Sequence, residues 1–304
     1  MDIVLKVLGI ILPIAAGFVF RSSGVFHEDD AAVLRRFVVR VALPVLVFYS
    51  MYDAGRDEVA ALPVMLAGIV LVTGARFVLG YILSFTASGG PRKTAVHAST
   101  AFGNYGWLGF GVMHVLLGDE GLRRAVFFVL LWWPVFFGFG LPAGIIHNGR
   151  EKDGFNLPEA VKLMVPVATG LAAGIVMHSL KASLPGFLDL TLRPFAAAVV
   201  PLILFSAGMS LRIKGILPSL LPALYISVAV LCVAPAAGWV IARALTDDPV
   251  SRAVIVLEAA MPTATLTPVL GEYVKLDSNT ANTAVVVSTL LSAVTLPLVA
   301  LLVV

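Results

Sequence analysis

Runs of about 20 mostly apolar residues follow one another along almost the whole chain, each closed by a short cluster of charged, glycine or proline residues. A half-buried helix or strand would show polar positions at a period of 3.6 or 2. Runs that are apolar on every face and about 20 residues long instead match the thickness of bilayer hydrocarbon. The pattern predicts ten spanning helices, at 3–20, 33–51, 60–85, 94–116, 122–146, 159–179, 191–210, 217–244, 252–272 and 280–303. The longest polar connection, "HNGREKDGFNLPE" at 147–159, divides them five and five. The chain therefore reads as a first repeat over 1–147, a cytoplasmic linker at 148–158 and a second repeat over 159–304.

The two halves resemble each other. "PVLVF" at 44–48 is answered by "PLILF" at 201–205, 157 residues later. At a spacing of 158, "TAVHASTAFGNYG" from residue 94 lies over "RAVIVLEAAMPTA" from residue 252, which sets Asn104 against Pro262. An odd number of spans per half makes the second half enter the membrane from the opposite face, so the repeats are expected to be inverted.

Composition agrees with this solvent: 59% of the residues are hydrophobic and 13% are charged. The net charge of +3 sits in short loops and forms no basic stripe, which argues for a membrane surface and against nucleic acid. The one cysteine, Cys232, falls inside a predicted span, excluding an internal disulfide and any cysteine cluster for a metal. The first run lacks a clear small-residue cleavage site and reads as a span rather than a signal peptide. No His-Glu-x-x-His, Gly-x-Ser-x-Gly or Walker phosphate loop occurs, so neither an enzyme nor direct use of ATP is expected, and no cofactor or metal is assigned.

Two stretches interrupt their own helices. "AFGNYGWLGFGV" at 101–112 places Asn104 and four glycines in the fourth span, and "MPTATLTP" at 261–268 places two prolines and three threonines in the ninth. Irregular backbone at membrane depth survives only where it is buried or lines a cavity, and paired interruptions in corresponding helices point to a transporter site. A half-helix starting there presents free N–H groups to an anion. Pro262 suits the first position of such a half-helix, with threonine hydroxyls nearby to cap it or meet a ligand. Among titratable residues within spans, Glu258 lies one turn before Pro262 and His97 two turns before Asn104; both are candidates for binding a coupling proton or cation. Arg76 is expected to snorkel or to pair structurally, while Arg40 stays open between snorkelling and meeting a carboxylate. Ser288, Thr289 and Ser292 are expected mainly to serve close helix packing, and Trp132 and Trp133 only to pack.

These features resemble the auxin efflux carrier family, which includes plant PIN-formed carriers and bacterial transporters of small dicarboxylates. The likeness rests on "VALPVLVF" at 41–48, "FGNYGWLGFGV" at 102–112, "EAAMPTA" at 258–264 and "VVVSTLLSAVTLPL" at 285–298. It implies an all-α integral membrane protein of ten transmembrane helices in two inverted five-helix repeats, with broken fourth and ninth helices crossing between a scaffold and a moving, elevator-like transport domain. It also implies secondary transport of a small organic anion, auxin-like or a dicarboxylate such as malonate or malate. The family's crossing residues map onto Asn104 and Pro262, with Tyr105, Thr263 and Thr265 beside them as substrate-binding candidates. Here Asn-Tyr-Gly stands where many members carry a proline. Expected partners are that anion, a proton or sodium ion and membrane lipid, with a homodimer left open. The alternatives are a sodium/proton-type antiporter and a sensor built on a transporter scaffold.

Loop charge sets the expected orientation. With both termini outside the cell membrane, eleven Lys and Arg residues fall on the inner side and eight on the outer. In a Cys232→Ala background, Asn148→Cys should then react with an impermeant thiol reagent only from the cytoplasmic side; labelling from outside reverses the orientation.

Overall fold

The computed structural model describes residues 3–149, 157–211 and 215–304. Linker residues 150–156, with Arg150 and Lys152, and the loop cations Arg212 and Lys214 lie outside the described residues. Among the described residues the regular elements are helices: α1 (Ile3–Ser22), α2 (28–52), α3 (Arg56–Ser84), α4 (Gly90–Ala101), α5 (Tyr105–Val129), α6 (Trp132–Asn148), α7 (Leu157–Ser179), α8 (Gly186–Ser210), α9 (Leu217–Leu245), α10 (Pro249–Ala259) and α11 (Ser278–Val303). The protein is thus all-helical. Five helices are long and apolar enough to cross a membrane alone: α3, the Val161–Ser179 part of α7, α8, α9 and α11. The pair α5 and α6, bent by 46° at its junction, makes a sixth if taken as one span.

Departures from simple helices have local causes. In α2 the turn Val38–Ala42 is widened to π geometry immediately before Leu43-Pro44, and in α9 the turn Ala229–Val233 widens before Ala234-Pro235. Proline has no N–H to donate back and its ring crowds the preceding turn, so an extra residue per turn relieves both. The polar stretch at 117–121, expected to separate the fourth and fifth spans, does interrupt the helix: Gly118, with φ +68° and ψ −158°, kinks the path between two helical stretches, a conformation glycine takes without strain.

Two sets of helices pack among themselves. α1 lies on α8 and α2 on α7, while α3, α4, α6, α9, α10 and α11 surround the two broken stretches. The first set is held by backbones in near contact. A Cβ on Gly17 would overlap the Phe205 carbonyl oxygen, and one on Gly208 would overlap that of Ile14. Gly170 lies as close to the Pro44 carbonyl, and a Cβ on Gly174 would come 2.7 Å from the Phe48 oxygen. Small residues let helices approach this far, where dispersion rather than water drives association.

Charged side chains gather at two ends. Arg193 pairs with Asp53 at 2.8 Å and Asp189 at 3.0 Å, Arg123 with Glu58 at 2.7 Å, and the buried Arg124 with Glu120 at 2.6 Å and Asp248 at 3.2 Å. A second group joins the 90–94, 147–148, 218–219 and 275–279 segments: Arg92 donates to the Pro218 carbonyl and Asn148 to that of Lys275.

The glycine contacts are open to test. Gly17→Ala should lower the thermal midpoint of the detergent-purified protein, because overpacking costs about 1–3 kcal/mol. Gly9→Ala, where a Cβ meets nothing within 4 Å, should leave the midpoint unchanged or raise it. Equal behaviour of the two variants contradicts the close α1–α8 approach.

Candidate functional site at the paired helix breaks

α4 stops at Ala101, where Phe102 turns extended, and α10 stops at Ala259. The segments that follow pair with each other. The Asn104 N–H donates to the Pro262 carbonyl at 2.8 Å, the Ala264 N–H donates to the Phe102 carbonyl at 2.9 Å, and Gly103 and Thr263 form an isolated antiparallel bridge. Each break thereby supplies partners that the other would lack in hydrocarbon. Gly103 has no alternative, since a Cβ there would overlap the Tyr105 ring and lie 2.5 Å from Arg76 Nη1. Thr263 is fully engaged: its N–H donates to Ser288 Oγ at 3.1 Å and its hydroxyl to the Ser99 carbonyl at 2.8 Å.

Of the two expectations for Arg76, snorkelling and structural pairing, the structure has the second. It is 1% exposed, and from α3 it reaches the ends of both broken helices. Nε donates to the Thr100 carbonyl at 2.8 Å, and Nη1 to those of Met261 at 2.9 Å and Ala259 at 3.4 Å. These carbonyls belong to the last turns of α4 and α10 or just beyond, where helices leave acceptors unpaired and carry partial negative charge. A guanidinium, with five donors in a fixed fork, can serve two helix ends at once. Arg40 is exposed on α2.

Asn104 is 3% exposed, and its Oδ1 has no hydrogen-bond partner. Its carbonyl accepts from Leu108 and Gly109 at 3.1 and 3.2 Å, so it caps α5, and the N–H groups of Tyr105, Gly106 and Trp107 precede the first intrahelical bond. The positive helix end at the crossing therefore belongs to α5. Pro262 lies in the extended bridge segment, not at the start of a half-helix; the first helical turn after it is the six-residue 3-10 turn Thr267–Glu272, with Pro268 near its start. The Tyr105 side chain is fully buried, its hydroxyl 3.3 Å from Thr73 Oγ1 and its ring 5.8 Å from the Arg76 guanidinium.

Asn104 borders two spaces. A cleft of about 60 Å³, room for roughly four to six waters, lies between Val39, Leu43, Ile203 and the first turn of α5, with Trp132 and Trp133 in its wall. The tryptophans thus do more than pack. A smaller space of about 10 Å³ has Thr265, Trp107 and Thr289 around it. One turn further along α2, α5 and α8, an open cleft of about 540 Å³ is lined by Tyr49, Asp53, His114, Asp119, Arg123 and Arg193. These groups escaped sequence reading because their partners, such as Asp53 and Arg193, lie 140 residues apart.

Glu258 is fully buried, and neither carboxylate oxygen has a hydrogen-bond partner. It abuts the start of α5, since a Cβ on Gly109 would come 2.6 and 2.7 Å from its two oxygens. His97 is not brought to the paired strands: its Nδ1 is 3.1 Å from His147 Nε2 and its Nε2 is 3.0 Å from the Phe77 carbonyl oxygen. Ser288, expected to serve packing, also accepts the Thr263 N–H.

Arg76→Lys tests the bridging role. An ammonium keeps the charge but cannot span both helix ends, and a hydrogen bond from a charged donor is worth about 1.5–3 kcal/mol. The variant should fold less stably, with a lower thermal midpoint in detergent; an unchanged midpoint shows that the breaks hold without the bridge.

Comparison with known proteins agrees with this geometry. The profile described as membrane transport protein matches residues 2–143 and 161–300. An uncharacterized transporter of Methanothermobacter thermautotrophicus is 30% identical over 294 residues, covering 96% of this chain and 95% of its own. An uncharacterized transporter of Methanocaldococcus jannaschii is 27% identical over 306 residues, covering 98% and 97%. A helical protein whose two broken helices satisfy each other, matched by this profile over both halves, belongs to the membrane transport protein family, that of the auxin efflux carriers.

Proposed function

We propose that this transporter carries a small organic anion, auxin-like or a dicarboxylate such as malonate or malate, by alternating access without ATP. The observation that carries the reading is Asn104, an under-bonded buried amide at the N-terminus of α5 beside a cleft. Its Nδ2 can donate to a carboxylate, its Oδ1 can accept from a ligand hydroxyl, and the first-turn N–H groups of α5 add fixed donors and a positive dipole end. Tyr105 and Pro262 contribute backbone, and Thr265 borders the smaller space. Thr263 supports the site through its bonds to Ser99 and Ser288.

The architecture read for it is ten transmembrane helices in two inverted repeats, 1–147 and 159–304, joined by a cytoplasmic linker in a cell membrane with both termini outside. Internal contacts support the repeat: Gly17 meets the carbonyl of Phe205, and Gly174 meets that of Phe48, a pair related by the 157-residue spacing that carries "PVLVF" onto "PLILF". In this reading α1, α2, α7 and α8 are the scaffold and the helices around the crossing move as an elevator. The 540 Å³ cleft is the route to the crossing from one side, lined by Arg123 and Arg193 with their carboxylate partners.

Malonate binding to purified protein, followed by thermal shift and by calorimetry, tests the site. Losing one hydrogen bond to a charged group costs about 1.5–3 kcal/mol, on the order of ten- to a hundredfold in affinity. Asn104→Ala should lose saturable binding at accessible concentrations while still purifying as a folded species. Thr263→Val should lower stability more than affinity. Parental affinity in Asn104→Ala places the anion elsewhere.

A further inference from the structure

Arg76 and Glu258 form an unusual electrostatic situation just behind the crossing. Arg76 bonds only to uncharged carbonyls, and its Nη2 has no hydrogen-bond partner. A guanidinium at that depth is always charged and needs a counter-charge. α10 packs against α3, α5, α9 and α11. From α3, Arg76 reaches the carbonyl of Ala259, the residue after Glu258, and from α5 the buried Tyr105, whose ring lies 5.8 Å from that guanidinium, is the titratable group beside it. Arg124 of α5 bonds to Ser251 at the other end of α10 and is balanced there by Glu120 and Asp248, while His114, Asp119 and Arg123 line the open cleft. The ionisable groups of α9 are Tyr225, the exposed Cys232 and Arg243, which stacks on Trp239, and α11 carries none. Glu258 is thus the carboxylate left to balance Arg76 when no anion is bound.

We infer that Glu258 is a proton site whose charge is exchanged for that of the substrate: when an anion occupies the Asn104 crossing, Glu258 takes one proton from water, and the two move together as a proton–anion symport. This rests on the proposed anion site. The balance is simple: a carboxylate and a proton become a carboxylic acid, and one carboxylate of the incoming anion replaces the lost negative charge beside Arg76, the second charge of a dicarboxylate being left to the N–H groups at the start of α5. Two buried negative groups facing one guanidinium would leave a net charge in hydrocarbon, and protonation removes it. A proton fits this place and sodium does not. Sodium would need several oxygen ligands, whereas Glu258 faces the backbone of Gly109 and the field of a fixed cation. The lack of donors to its oxygens also leaves neither protonation state locked by hydrogen bonds.

Linkage makes the test quantitative, because a bound proton that favours the anion is favoured by it equally. Malonate is added to the purified protein in weak buffer, in the range where malonate itself is fully ionised, and proton uptake is measured with binding. The parent should take up roughly one proton per malonate, and its affinity should fall by up to about tenfold for each unit rise in pH. Glu258→Gln, nearly isosteric, should bind malonate with a flat pH profile and no uptake. Infrared difference spectra of the parent should show malonate inducing the C=O stretch of a protonated carboxyl; this reads the same event should Glu258→Gln fail to fold or bind. Binding by the parent without proton uptake or that band overturns the inference while leaving the anion site intact. So does uptake that persists in Glu258→Gln, or a sodium requirement at fixed pH. Failure of malonate, malate and indole-3-acetate to bind the parent at any pH overturns the anion site and the inference with it.

Discussion

Hydrocarbon offers no hydrogen bonds, so a chain that breaks two helices inside it must supply from elsewhere every partner the breaks give up. Arg76 meets that demand. One guanidinium, held on the long helix α3, donates to the end of α4 and to the end of α10, two points more than 150 residues apart in sequence. The bridge between Gly103 and Thr263 accounts for the next groups, and Ser99 and Ser288 for those of Thr263. Around the crossing Asn104 Oδ1, both Glu258 oxygens, Arg76 Nη2, Ser99 Oγ and Thr267 Oγ1 remain without a hydrogen-bond partner. Such leftovers are costly, and they mark where a ligand or proton would lower the energy.

The two packing sets answer different needs. α1, α2, α7 and α8 meet through glycines at near backbone contact, a fit that leaves little freedom to slide. Their shared border with α5 holds the clefts and few such close contacts. Charged clusters at the wide cleft sit on both walls, Arg193 with Asp53 and Asp189 on one and Arg123 on the other. Two sets of helices with clefts along their shared border are the division that the proposed elevator movement requires.

Much of this was legible in the chain. Long apolar runs gave the helices, because hydrophobic length is a signal with few rivals, and the glycines with Asn104 and the prolines gave both breaks. Details of the breaks were not legible. Pro262 looked like the start of a half-helix because proline favours that position, yet its carbonyl is recruited by Asn104, and the chain passes through the bridge at Thr263 and a turn at 265–266 before the 3-10 helix begins at Thr267. Structural pairing was among the expectations for Arg76, but its partners were not legible, because they are backbone carbonyls, which no side-chain pattern announces. The wide cleft was missed because its pairs join residues far apart in sequence, and the role of Trp132 and Trp133 because packing and cavity-lining demand the same residue type.

Where the spacing of 158 carries the first break onto the second, it carries Arg76 onto Ala234 and Thr100 onto Glu258. The guanidinium and the carboxylate therefore each occur in one half only. A duplicated backbone with matching halves would make its two access states mirror images of equal energy. Under the proposed inverted-repeat reading, charge set into one half removes that degeneracy and biases the resting population toward one face of the membrane before any gradient acts.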